Sequence, residues 1–156
     1  MARLITFSLA LLLLLPVLFV DGSASPKASR KFDEFGDLNC EDEMARLDNF
    51  AIQLQHSPAD TGYIIFYGGR RFRGRLPRRG EGAARAARLK TYLVERRGLP
   101  SSRVTVIDGG YMEEWRAELW LNPPRMSPPQ PDRSLPIEKI KFRKGKAHPR
   151  DFRCQI

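Results

Sequence analysis

Residues 61–98 constrain the fold of this 156-residue chain more than any other stretch. Residues 63–67 (YIIFY) are β-branched and aromatic and have a glycine on either side, which predicts a strand buried on both faces. An arginine-rich loop follows at residues 70–79, and the alanine-rich residues 83–97 predict a helix. Because binding residues concentrate on the loops of rigid scaffolds, this loop is the first place to expect a site.

Residues 1–24 have the pattern of a secretory signal peptide. Residues 4–20 are apolar apart from two hydroxyl residues and Pro16, and small residues allow cleavage after Gly22 or Ala24. The alternative is an uncleaved membrane anchor, which the short apolar run and the proline disfavour. We expect an exported protein, periplasmic or extracellular, with no integral membrane span after cleavage.

We expect residues 25–122 to form one domain, and residues 123–156 to form a proline-rich strap followed by a basic tail. The formal net charge is +9, and loss of the signal peptide leaves it unchanged because one arginine and one aspartate are removed. Such a charge favours an anionic partner by long-range attraction. Cell-wall polymers and phospholipid headgroups fit an exported protein, whereas the compartment disfavours nucleic acid.

Cys40 and Cys154 are the two cysteines of the chain. A pair of cysteines in an oxidising compartment favours a disulfide, which would link the tail to the domain. The alternative is a zinc site that also uses His56 and His148, but these spacings match no known zinc pattern. We expect a disulfide, no metal and no cofactor.

The first half of the chain predicts a strand, a helix, the buried strand and a second helix. Residues 30–37 predict an edge strand, and the first helix has Asn39 as its N-cap and stops before Pro58. Gly98 and Pro100 end the second helix. The apolar side of that helix is expected to face the sheet through Ala83, Ala86, Leu89, Tyr92 and Leu93.

Two further strands are predicted after the second helix. They cover residues 102–107 and 115–121, joined by a tight turn at residues 108–110, and the second of them alternates, which places Glu118 on a solvent-facing side. Right-handed crossovers then favour an α/β fold of the α+β sandwich type. We expect the order β-α-β-α-β-β, with a mixed four-stranded sheet and the helices on one face.

Six arginines lie within residues 70–79, just before the second helix. One interpretation is a solvated, mobile loop. The other is an anion site, because guanidinium groups match carboxylate or phosphate and a helix start adds N–H donors. We predict an anion site formed by arginines of the loop and of the helix, namely Arg70, Arg71, Arg73, Arg85 and Arg88.

Four segments follow one another in a recognisable order. They are residues 32–36 (FDEFG), the strand at residues 63–69, residues 85–93 with Arg-Ala at the start and Tyr-Leu at the end, and residues 98–104 (GLPSSRV). In this order they resemble the OmpA-like, peptidoglycan-associating domain of bacterial envelopes. The similarity extends over residues 31–121. It implies the OmpA-like fold and attachment to the cell wall.

The resemblance also implies how a ligand is held. Arg85 matches the family's helix arginine, which binds a carboxylate of the diaminopimelate residue of peptidoglycan. An aspartate at the end of the preceding strand takes the amino group in that family. Arg70 stands at that position here, so the resemblance implies a divergent member without the ligand-binding aspartate.

No catalytic residues are predicted. His56 and His148 are the two histidines, and no serine or cysteine nucleophile motif surrounds either of them. We expect a non-catalytic envelope protein that binds an anionic cell-wall component or supports the envelope structurally. The alternative is a protein–protein interaction module of the envelope that uses the basic loop and the proline-rich tail.

Overall fold

The computed structural model describes residues 28–152, and its central element is the strand β2 (Thr61–Gly69). The main sheet has the order β1-β5-β2-β4, with β1 (Arg30–Phe35), β4 (Val104–Met112) and β5 (Arg116–Asn122). β2 pairs parallel with β4 and antiparallel with β5, and β1 is an edge strand antiparallel to β5. As predicted, β2 is buried on both faces.

Both helices pack on one face of this sheet. α1 (Cys40–His56) starts after Asn39, whose side chain accepts a hydrogen bond from the Asp42 N–H at 2.8 Å, as an N-cap does. α2 (Glu81–Thr91) continues into a π-helical turn over Tyr92–Arg96. The helices and the strands share one apolar core, which includes Leu47, Phe50, Leu54, Ile64, Phe66, Leu89, Leu93 and Leu119.

The face of α2 that touches the sheet differs at its start from the predicted one. Ala83 is exposed and Ala84 is buried. A Cβ atom added at Gly82 would lie 3.7 Å from the Gly68 backbone nitrogen, so the helix approaches β2 through this glycine. Because residues four positions apart lie on the same face of a helix, Ala86 faces the sheet together with Gly82, and Ala83 points outward.

β4 and β5 do not form the predicted hairpin, because β5 lies between β1 and β2. The predicted turn at residues 108–110 is part of β4. The connection to β5 instead crosses the end of β2, where the Arg70 N–H donates to the Met112 carbonyl at 3.1 Å. A Cβ atom at Gly69 would lie 2.6 Å from the Trp115 nitrogen, so glycine is needed for the chain to cross there.

The proline-rich residues 123–136 begin with a turn at residues 124–125 and then run along the domain without helix or strand apart from an isolated bridge between Leu135 and Tyr111. The Asp132 N–H donates to the Tyr67 hydroxyl at 2.8 Å, and the Leu135 N–H donates to the Tyr111 carbonyl at 2.6 Å. Tyr67 alternates with the core residue Phe66 along β2, so its side chain lies on the sheet face opposite the helices. The strap therefore helps to cover that face.

Glu118 is not solvent-facing, which corrects the expected alternation of β5. Its side chain is 1% exposed. Its carboxylate accepts hydrogen bonds from Lys31 Nζ and Trp120 Nε1, both at 2.9 Å, and lies 3.1 Å from Arg116 Nη2. The buried charge is tolerated because two cations and one donor satisfy it.

The basic tail packs on the arginine loop and not on an edge of the main sheet. β6 (Arg143–Lys146) pairs parallel with the two-residue strand β3 (Arg78–Arg79). The Arg143 N–H donates to the Pro77 carbonyl at 3.0 Å, and the Ala147 N–H donates to the Arg79 carbonyl at 3.3 Å. The loop thus provides backbone carbonyl groups that accept hydrogen bonds from the backbone N–H groups of the tail.

The structure confirms an α+β fold with a mixed four-stranded sheet and two helices. Within residues 28–152, no helix is long and apolar enough to cross a membrane. The predicted signal peptide and Cys154 lie outside the described residues. The disulfide between Cys40 and Cys154 therefore stays a prediction.

Candidate functional site

The arginine-rich loop contains a tight hairpin turn at residues 72–75. Phe72 and Arg75 exchange backbone hydrogen bonds of 2.8 and 2.9 Å, and the two residues between them, Arg73 and Gly74, have φ values of 47° and 78°. Two central residues with positive φ are typical of a type I′ turn. The Phe72 ring lies 5.3 Å from the Trp115 ring, which fixes the hairpin against the core.

Arg85 lies in the first turns of α2 and its guanidinium is held between aromatic rings. The Arg85 Cζ lies 3.9 Å from the centroid of the Phe72 ring, 4.2 Å from that of Phe152 and 5.4 Å from that of Trp115. Its side chain is 13% exposed. The hairpin, through Phe72, and the tail, through Phe152, cover the Arg85 side chain.

Glu81 is the carboxylate partner of Arg85. Its Oε1 accepts hydrogen bonds from Arg85 Nε at 3.2 Å and Nη2 at 3.0 Å, and its Oε2 accepts from the Arg78 N–H at 2.9 Å. Burial lowers the pKa of Arg85, and the bonds to Glu81 act against that shift. The guanidinium remains charged, because arginine is not deprotonated in proteins.

A cleft of about 270 Å³ opens beside this pair. Four arginines line it together with two aromatic rings, two carboxylates and one leucine: Arg75, Arg78, Arg85, Arg143, Phe72, Phe152, Glu81, Asp151 and Leu76. Arg78 Nη2 lies 3.1 Å from an Asp151 oxygen. The four cations outnumber the two carboxylates, so the cleft can receive an anion between guanidinium groups and aromatic walls.

The structure brings only Arg85 of the five predicted arginines into this cleft. Arg70 forms an ion pair with Glu113 at 2.8 Å. Arg71 donates to the Gly74 carbonyl at 2.9 Å. These two arginines lie at the hairpin and at the end of β2, outside the cleft lining.

The other two predicted arginines have carboxylate partners on the helix side of the domain. Arg73 donates through Nε and Nη2 to Asp37, with a shortest distance of 2.7 Å. Arg88 pairs with Glu43 of α1, and burial lowers the pKa of Arg88. Both pairs fasten neighbouring elements together and leave the anion site to Arg85 and to arginines not singled out from the sequence.

Three features of the cleft were missed from the sequence. Glu81 precedes Arg85 by four residues, a spacing that indicates a helical ion pair and was a usable signal. Gly74 allowed a residue with positive φ in the loop, but the positive φ of Arg73 had no local signal, so the hairpin could not be read from the sequence. The contribution of Arg143 and Phe152 had no local signal, because it depends on where the tail packs.

Within the described residues, no group of three or more His, Cys, Asp or Glu side chains could hold a metal ion. His56 and His148 are both exposed and do not line the cleft. No known protein family model matches the chain, and no curated protein matches it.

Proposed function

We propose that this chain is an exported, non-catalytic OmpA-like domain that binds an anionic component of the bacterial cell envelope in the cleft around Arg85. The observation on which the proposal rests is the composition of that cleft. Four arginines and two aromatic rings converge on a space of about 270 Å³, large enough for a carboxylate- or phosphate-bearing group.

Two of the cleft arginines are not neutralised by a carboxylate of the described residues and can pair with a ligand. Within residues 28–152, no ion pair to a carboxylate involves Arg75 or Arg143. Arg85 is different, since Glu81 already neutralises it in part. A ligand carboxylate or phosphate would therefore bind chiefly between Arg75 and Arg143 and be supported by Arg85 at the back of the cleft.

The OmpA-like assignment is supported by the segments that carry the resemblance. The strand before α1, the buried strand β2 and the arginine at the start of α2 follow one another in the expected order. Arg70 stands at the position of the family's aspartate and pairs with Glu113, while a different carboxylate, Glu81, lies next to Arg85. We propose that Glu81 changes the ligand preference of this member.

Co-sedimentation of residues 25–156 with purified peptidoglycan sacculi tests the proposal. The double variant Arg75→Gln and Arg143→Gln should lose at least about ten-fold in binding, because each charged hydrogen bond contributes about 1.5 to 3 kcal/mol. Binding by the wild type should weaken as salt is raised. A matched control neutralises Lys90 and Arg96, which lie toward the other end of the second helix. Retention that is equal in all three proteins at low salt contradicts the proposal.

The second candidate function is a protein–protein interaction module of the envelope. The exposed hairpin with Arg71, Arg73 and Arg75 favours it, whereas the strap is engaged by Tyr67 and Tyr111 and is less free to bind a partner. Digestion of sacculi separates the two functions. Co-purification with an envelope protein that survives complete digestion, together with no binding to sacculi, favours the second.

A further inference from the structure

The ribbon formed by β3 and β6 places like charges directly opposite one another. Arg78 faces Arg143, and Arg79 faces Lys146. Opposed like charges destabilise a strand pair. Asp151 compensates Arg78 at 3.1 Å, but in the part of the chain that the structure describes no carboxylate forms an ion pair with Arg79, Lys144 or Lys146.

This concentration of unneutralised charge sets the ribbon apart from the rest of the domain. Several arginines elsewhere are matched with carboxylates, as Arg46 is with Asp33 at 2.6 Å and Arg73 is with Asp37 at 2.7 Å. Residues 137–152 contain six lysines and arginines against two carboxylates. Such an excess on one surface is favourable when the partner supplies the missing negative charge.

One exposed apolar side chain, Ile137, and one half-buried ring, Phe142, lie within the same surface. The Arg79 guanidinium is 4.6 Å from the centroid of the Phe142 ring, which contacts Tyr111 edge-on at 5.4 Å. Ile137 is 52% exposed and lines a shallow pocket of about 170 Å³ with Phe142 and Arg79. A surface of cations around an exposed aliphatic residue is typical of peripheral membrane binding, and a purely ionic polymer would not use the aliphatic part.

We propose that this surface, the ribbon face formed by Arg79, Ile137, Phe142, Lys144 and Lys146, docks on a bilayer of anionic phospholipids. The cations would lie at the phosphate groups, and Ile137 would reach the boundary between headgroups and acyl chains. The acidic residues beside the face are Glu138, next to Ile137 in the chain, and Asp108 in the shallow pocket. The Asp108 Oδ1 is engaged by the Gly110 N–H at 2.9 Å.

The ribbon face is distinct from the cleft of the proposed function. Lys144, Lys146 and Ile137 do not line the cleft, whereas Arg143 and Arg75 do. One domain could then hold a cell-wall component in the cleft while the ribbon face contacts a membrane. The two activities can be tested and can fail separately.

The charge part of the proposal is tested by co-sedimentation with vesicles containing phosphatidylglycerol and with vesicles of phosphatidylcholine alone. The double variant Lys144→Gln and Lys146→Gln should bind the anionic vesicles about 25-fold more weakly, since each cation contributes about a five-fold gain. The control variant Lys90→Gln and Arg96→Gln removes the same charge toward the C-terminal end of the second helix, about 14 and 22 Å along it from Glu81, and should bind like the wild type. Equal losses in both variants would overturn the proposal.

The apolar part is tested with Ile137→Ser. This variant should lose about five- to ten-fold in binding, at both low and high salt, because the lost contribution is hydrophobic. Circular dichroism checks that each variant is folded, and sacculus binding by Lys144→Gln with Lys146→Gln should be unchanged. If the wild-type protein did not bind anionic vesicles but bound soluble polyglutamate, membrane docking would be refuted. The partner of this face would then be a polyanion.

Discussion

Neutralising Glu81 should tighten anion binding while it weakens the fold. In the free protein, Glu81 accepts two hydrogen bonds from Arg85 and one from the Arg78 backbone, and its side chain is 7% exposed. Glu81→Gln keeps one acceptor oxygen and loses the charge. We expect the free energy of unfolding to fall by about 1 to 3 kcal/mol, less than when a buried partner is removed outright.

The gain in binding follows from Coulomb's law. A bound anion in the cleft would lie about 5 Å from the Glu81 carboxylate, and at an effective dielectric constant of about 20 their repulsion is about 3 kcal/mol. Removing it should raise the affinity for an anionic envelope ligand by about ten- to a hundred-fold, with salt screening favouring the lower figure. The Arg85 guanidinium stays protonated in the variant, so the cleft gains a full positive charge.

Two measurements on the same protein check this reasoning. Urea denaturation gives the stability, and co-sedimentation with sacculi at low and high salt gives the binding. Glu95→Gln is the matched control, because Glu95 is exposed in the π-helical turn at the far end of the second helix and the same charge is lost there. If Glu81→Gln weakened binding, Glu81 would be contacting a positively charged group of the ligand, and the reasoning for a purely anionic ligand would be refuted.

Three further predictions concern the scaffold. Arg103 donates to three backbone carbonyls at the end of α1 and in the turn before β2, at 2.8 to 2.9 Å. Arg103→Met should lower the free energy of unfolding by about 2 to 3 kcal/mol in urea denaturation. Gly69→Ala should cost about 3 kcal/mol or more, because the new Cβ would lie 2.6 Å from the Trp115 backbone nitrogen, which cannot turn aside as a flexible side chain can. Hydrogen bonds from Arg73 lower the pKa of Asp37 below its ordinary value. Asp37→Asn should therefore reduce stability at neutral pH. The difference from the wild type should begin to shrink near the ordinary aspartate pKa of about 4 and should vanish only when the pH has fallen below the lowered pKa of the folded protein.

Matched variants make these predictions specific. Arg96→Met removes an exposed arginine without such acceptors and should change stability by less than about 0.5 kcal/mol. Gly36→Ala adds a Cβ that would lie 3.5 Å from the Trp115 carbonyl, an ordinary contact, and should be tolerated. An Asp37→Asn variant whose deficit persisted unchanged at low pH would contradict the role given to its ion pair.

The elements with local signals were predictable. The start of α1 follows from Asn39 and from the acidic first turn of the helix, and both act over three or four residues. The burial of β2 follows from five consecutive apolar residues between glycines. Such features depend only on residues that are close together in the chain, so the α+β fold class could be predicted from them.

The candidate site was predictable only in part, for the same reason. Arg85 could be placed at the start of a helix, and its spacing from Glu81 could have indicated their ion pair. The pairing of Arg70 with Glu113 could not be foreseen, because it depends on the connection between β4 and β5 crossing the end of β2. That crossing is also why the expected hairpin was wrong.

Residue order and periodicity thus determined where both helices and the strands β1, β2 and β5 form, how β2 is buried and which charge the molecule has. The tertiary structure decided which arginines share a cleft, since Phe72, Arg85, Arg143 and Phe152 come from a hairpin, a helix and a tail. It also decided that β5 inserts beside β2 and that β6 pairs with β3. These features depend on contacts between residues that are far apart in the chain. The free energies of such contacts depend on packing and on shared hydrogen-bond partners, which no local sequence pattern contains.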